Sequence, residues 1–134
     1  MSESFEVSAV LPADPQTVYE AWLDGERHAA FTGGDAEVDG RVGGRFAVWD
    51  NYIEGTTLEL EPGRRIVQAW RTSEFPPGCP DSVLEVLLTK TRGGTRITLR
   101  HSRVPDGQGA EYKQGWKQHY FTPMRRYFSE LKGA

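Results

Sequence analysis

Toward the C-terminus the apolar spacing of this chain changes from strand period to a long helical stripe, and that change limits the folds open to it. There Tyr112, Trp116, Tyr120, Met124, Tyr127, Phe128 and Leu131 recur at i, i+4, i+8 and neighbouring positions. That is the stripe of an amphipathic helix of about 20 residues, roughly 30 Å long. Pro123 lies inside it, so a kink is expected near His119–Pro123, where a backbone donor is missing. Most of the preceding chain carries strand spacing instead, alternating or in short apolar runs. One long helix with one apolar face needs a sheet to cover.

The order of elements follows from turn and cap residues. Phe5, Val7 and Ala9 share a face of a first strand, Ser4–Leu11. Asp14 is suited to a helix N-cap and Pro15 to the first helical position. A short helix then runs to about Asp24-Gly25, and a second spans Glu26–Phe31 before Gly33-Gly34. Strands are expected at Asp35–Asp39, Arg45–Asp50, Tyr52–Leu60, Arg65–Thr72, Ser82–Thr91 and Thr95–Val104. Glu61-Pro62-Gly63-Arg64 and Arg92-Gly93-Gly94 read as tight turns between them. Hairpin connections make the sheet antiparallel. The expected architecture is α+β: a curved antiparallel sheet of about seven strands wrapped around a long C-terminal helix, with two short helices after the first strand.

At 134 residues the chain is sized for one domain, residues 1–134. A net charge of −3 and a pI near 5.6 disfavour nucleic acid as a partner. No apolar run approaches the roughly 20 residues of a membrane span. The first residues carry no basic-then-apolar signal region, and a lone cysteine, Cys79, allows no internal disulfide. A soluble cytoplasmic protein is expected, as a monomer or homodimer. His28, His101, His119 and Cys79 form no metal-ligand spacing, so neither a metal nor another cofactor is expected. Cys79 lies between Gly78 and Pro80, with no base beside it in sequence, and reads as an ordinary loop cysteine. The glycines of Gly40–Gly44 precede a strand, with no Gly-Lys-Ser/Thr, and read as a turn rather than a phosphate loop.

Several segments together carry a family resemblance. They are Pro15–Leu23 (PQTVYEAWL), Gly43-Gly44-Arg45-Phe46, Glu54-Gly55 with Leu60-Glu61-Pro62, Ile66–Arg71 (IVQAWR), and Gln114-Gly115-Trp116 with Tyr120-Phe121. In order and spacing the chain resembles the START-like (helix-grip, SRPBCC) superfamily. Within it, the chain resembles the family of the C-terminal domain of the activator of 90-kDa heat-shock protein ATPase. The eukaryotic co-chaperone has an additional N-terminal domain, whereas this chain starts at the START-like part. The family name is therefore not expected to give the activity.

The resemblance implies an apolar cavity between the last helix and the concave sheet. Phe46, Ile66, Trp70, Leu99, His101, Trp116, Tyr120 and Met124 are the expected ligand-binding residues. Tryptophan and tyrosine suit such a lining because each has an apolar body and a polar tip. The loop Phe75–Pro80 is a candidate lip. The leading functional expectation is binding of a small hydrophobic or amphipathic ligand. One alternative is a co-chaperone-like partner of a 90-kDa heat-shock chaperone. Another is a cyclase- or hydrolase-like enzyme using His101, for which Asp50 is the nominated companion. His101 shares strand parity with Ile97 and Leu99, and reads either as a histidine hydrogen-bonded to a neighbour at the sheet end or as a polar anchor or acid/base in the pocket. Asp50 shares parity with Phe46, and reads either as facing the same hollow or as sitting at a solvated strand end. The facing of Glu85 stays open, since its strand is apolar on both sides. Lys113, Lys117, Arg125 and Arg126 are expected on a solvated helix face.

Overall fold

The computed structural model describes residues 2–133. Strand β1 (Ser2–Leu11) buries Val7, Ala9 and Leu11 on one face. The Asp14 carboxylate accepts from the Thr17 amide at 2.8 Å and Pro15 opens α1 (Pro15–Leu23). A side-chain acceptor for a free amide and a residue with preset φ are what a helix start needs. Asp24 caps α2 (Gly25–Thr32) in the same way, and Gly33 ends it in the left-handed region at φ 83°.

Six further strands follow: β2 (Ala36–Val38), β3 (Arg45–Val48), β4 (Ile53–Glu61), β5 (Arg65–Thr72), β6 (Ser82–Thr91) and β7 (Gly94–Pro105). They pair antiparallel in the order β1-β7-β6-β5-β4-β3-β2. The first strand thus pairs with the last, and α1 and α2 carry the chain from one sheet edge to the other. The Arg92-Gly93 turn lets Thr91 pair with Gly94, as its glycine content predicts.

The C-terminal helix has three parts. The Glu3 carboxylate of β1 accepts from the Gly107 and Gly109 amides and fixes the start of α3 (Gly109–Gly115). A π-helical segment spans Trp116–Phe121 and α4 runs Thr122–Gly133. The Thr122 amide reaches back five residues to the Lys117 carbonyl. The irregularity expected from Pro123 therefore takes the form of π-helix just before the proline. One extra residue per turn lets Trp116, Tyr120, Phe121 and Met124 all turn inward. Leu131, read from its spacing as part of the apolar stripe, is instead 52% exposed.

This helix packs most closely on β1 and α2. Between Trp116 and the β3–β5 half of the sheet it leaves a hollow. The inward set of β6 is Ser82, Leu84, Val86 and Leu88, which puts Glu85 outside. There its carboxylate accepts from Arg65 Nε at 2.7 Å. Gly55 sits where a Cβ would collide with the Ala69 carbonyl and lie 2.7 Å from the Phe46 ring.

Candidate functional site

The hollow is a cavity of about 550 Å³, open on one side. Six of its twelve lining residues are tryptophan or tyrosine. Trp49 and Tyr52 come from the β3–β4 turn, Trp70 from β5, and Tyr112, Trp116 and Tyr120 from the helix. Trp70 and Tyr112 meet at 80° with centroids 5.1 Å apart, and Trp116 and Tyr120 at 60° and 4.8 Å. The rings therefore form walls in different planes rather than a filled stack. Glu111, Gln114, Gln118 and His119 line it with exposed side chains.

The β3–β4 turn is the least regular backbone near the cavity. Trp49, Asp50 and Asn51 all have positive φ, at 55°, 55° and 67°. Non-glycine residues reach that region at a cost of about 1–2 kcal/mol each. The turn swings Trp49 toward the helix, 5.8 Å from the His119 ring and 6.5 Å from Tyr120. It also ends the alternation that began in β3. Asp50 is consequently exposed: of the two positions its parity left open, it takes the solvated one and does not face inward with Phe46. The neighbouring Asp35 carboxylate raises its pKa.

Hydrogen bonds behind the rings hold the walls. The Tyr112 hydroxyl donates to Gln108 Oε1 at 2.6 Å and accepts from Thr72 at 2.7 Å. Burial pushes its pKa up. His28 Nδ1 donates to the Trp22 carbonyl at 3.0 Å, which leaves Nε2 to accept from the Tyr120 hydroxyl at 2.8 Å. That tautomer is forced because a carbonyl only accepts. Burial lowers the His28 pKa to about 4 and raises that of Tyr120. Trp22 Nε1 donates to Gln68, and Gln68 to Thr57.

His101 is fixed by the same logic. Trp116 Nε1–H donates to its Nδ1 at 3.2 Å, so the neutral ring carries its proton on Nε2. Nε2–H donates to Ser82 Oγ at 2.8 Å, and Ser82 donates to the Trp70 carbonyl at 2.6 Å. Burial holds its pKa down to about 3. Both ring nitrogens are engaged, and the chain of bonds ends on two wall residues, Trp70 and Trp116. This is the arrangement of a positioning residue, and it presents no free nitrogen to the cavity.

Of the residues expected to bind a ligand, Trp70, Trp116 and Tyr120 line the cavity. Ile66, Leu99 and Met124 lie in filled core with no exposed surface. Phe46 does not line the cavity and borders a neighbouring void of about 10 Å³ behind Trp70, Trp116 and Tyr120. Phe75, from the candidate lip, is buried against Trp70 and Tyr112. Trp49, Tyr52, Ile53, Tyr112 and His119 line the cavity without having been expected there. Among the described residues no group of three or more His, Cys, Asp or Glu is placed to hold a metal ion. Among them, too, no helix is long and apolar enough to cross a membrane.

A seven-stranded antiparallel sheet curved against a C-terminal helix with a π-helical segment, with an aromatic hollow between them, defines a START-like, helix-grip domain. A solved HSP90 activator from Plasmodium falciparum (PFC0360w) matches it with a TM-score of 0.86 at 24% identity, covering 94% of this chain and 96% of that one. CalU16 from Micromonospora echinospora matches with a TM-score of 0.77 at 26% identity, covering 93% and 65%. The family model described as "Activator of Hsp90 ATPase homolog 1-like protein" matches residues 12–129, and the chain belongs to that family. Among curated relatives, the activator of 90 kDa heat shock protein ATPase homolog of Dictyostelium discoideum is 24% identical over 96% of this chain and 32% of that protein. Human homolog 1 is 26% identical over 85% and 33%. The chain thus spans about a third of the length of these relatives.

Proposed function

We propose that this protein binds a small amphipathic molecule in the aromatic cavity between its C-terminal helix and β3–β5. The observation that carries this is the cavity itself, whose 550 Å³ falls within the range of about 300–1,000 Å³ usual for small-molecule sites. Gly115 supports it. This residue lines the cavity with helical φ and ψ of −60° and −40°, and a Cβ there would meet only a His119 ring carbon, 4.0 Å away. Alanine would favour the helix by about 0.5–1 kcal/mol, so glycine stands at this face of the cavity at a cost in stability and leaves room beside it for a larger side chain or a ligand.

Native mass spectrometry of protein purified gently from its own host tests the reading. Wild type is expected to carry a discrete added mass. Gly115→Ala is expected to keep it while gaining about 0.5–1 kcal/mol of stability. Gly115→Phe is expected to fold and to lose the added mass, because its ring occupies the hollow. Bare wild-type protein, or a Gly115→Phe protein as fully loaded as wild type, would reject the proposal.

A second reading is contact with a 90-kDa heat-shock chaperone. It is supported by the family and by the names of its relatives, of which this chain spans only about a third. Calorimetry against the chaperone of the same host is expected to show micromolar binding if this reading holds. No heat change at about 100 μM would dismiss it.

A further inference from the structure

We infer that the cavity is a cation site, selecting an organic ammonium carried on an apolar or aromatic body. This rests on the ligand-binding reading above and specifies its ligand. Two observations converge. First, the walls are π-systems set at steep angles to one another: Trp70 against Tyr112 at 80°, Trp49 against Tyr120 at 66°, and Trp116 against Tyr120 at 60°. The faces of such rings carry negative potential and attract cations, tryptophan most strongly. An ammonium with alkyl groups keeps little hydration to lose on entering such a box.

Second, the fixed charge around the cavity has one sign. Glu111 lines it, and no lysine or arginine does. Glu111 and Glu74 both act on the Tyr52 and Tyr112 hydroxyls, so two carboxylates flank that end. Cationic side chains of the same helix and of β5 stay out of the lining. Lys113 and Lys117 are exposed on the helix outside the lining, and Arg71 is held by Asp81 at 2.8 Å and the Cys79 carbonyl at 2.9 Å. His119 is the one basic side chain in the wall, and its ring stands edge-on to Trp49 at 70°. An anionic ligand would find no partner of opposite fixed charge there, and a neutral one would leave the carboxylates unused.

Three probes that share a naphthylmethyl body separate the possibilities: (2-naphthylmethyl)trimethylammonium, its uncharged carbon isostere 2-neopentylnaphthalene, and the anionic 2-naphthylacetate. Binding is read from the tryptophan indole N–H resonances. The ammonium is expected to bind about tenfold tighter than the isostere, and the acetate weakest. Glu111→Gln is expected to reduce the cation preference about threefold without changing thermal stability, since Glu111 is exposed. Equal or tighter binding of the isostere or the acetate would overturn the cation assignment and leave the ligand-binding reading standing. No shift with any probe would likewise overturn the cation assignment, and the ligand-binding reading would then be decided by the native mass.

Discussion

Acidification from pH 6.5 to pH 4 is expected to remove a large share of this protein's stability. The cause is two buried neutral histidines. Burial lowers the pKa of His28 to about 4 and that of His101 to about 3, from an ordinary 6.5. Above pH 6.5 both rings are neutral in the folded and unfolded chain, and the full stability is present. Below it the unfolded chain takes up two protons that the folded chain does not. Stability therefore falls with pH until the folded pKa values are reached. At about 1.4 kcal/mol per unit for each ring, the loss by pH 4 is on the order of 6 kcal/mol, against roughly 5–15 kcal/mol for a typical domain. Asp14 and Asp39, whose pKa values are lowered below 3.8 by hydrogen bonds to Thr17 and Arg41, add their losses only at lower pH. Urea unfolding followed by tryptophan fluorescence at several pH values gives the slope, which is expected to approach two protons. A stability flat to within about 1 kcal/mol between pH 6.5 and 4.5 would mean that these rings are not held neutral.

Each histidine takes a decisive hydrogen-bond partner from far along the chain, Tyr120 for His28 and Trp116 and Ser82 for His101, and this marks the limit of what the sequence showed. Local rules reached the strands, the Asp14-Pro15 helix start and the C-terminal stripe, because each depends on residues within one or two turns. His28 lies in a short helix whose spacing says nothing of Tyr120, its partner 92 residues away. Strand parity likewise reports which face a residue occupies and not what stands opposite. It placed Ile66, Leu99 and Trp70 inward, and all three are buried. Only Trp70 meets the cavity, because the helix packs on β1 and α2 and stands off from β3–β5. Trp49 and Tyr52 were out of reach for a different reason. Three successive left-handed residues, Trp49 to Asn51, carry the chain off the strand, and alternation counted through them points the wrong way. The family resemblance did indicate the fold, since its motif residues recur at the packing sites: Gly55 under Phe46, and Gly115-Trp116 at the cavity wall.

The His101→Leu variant is expected to lose about 2–4 kcal/mol at pH 7 and to lose the pH dependence that His101 contributes. Leucine is close to histidine in volume, so little cavity opens. What is lost is the acceptor for Trp116 Nε1 and the donor to Ser82 Oγ, both buried. Ser82 retains its bond to the Trp70 carbonyl, so the indole N–H carries most of the penalty. A buried donor without a partner costs about 1–3 kcal/mol, and the pair of losses about 2–4 kcal/mol at pH 7. The variant also loses one of the two titrating rings, so its stability falls with pH along a slope of about one proton. Wild type gives up roughly 3 kcal/mol through His101 between pH 6.5 and 4, which is close to what the variant has lost outright. The two stability curves are therefore expected to converge near pH 4. Parallel curves separated by the same amount at pH 7 and pH 4 would show that burial does not hold His101 neutral in the folded chain. Full stability at pH 7 would show that the relay does not hold the aromatic wall.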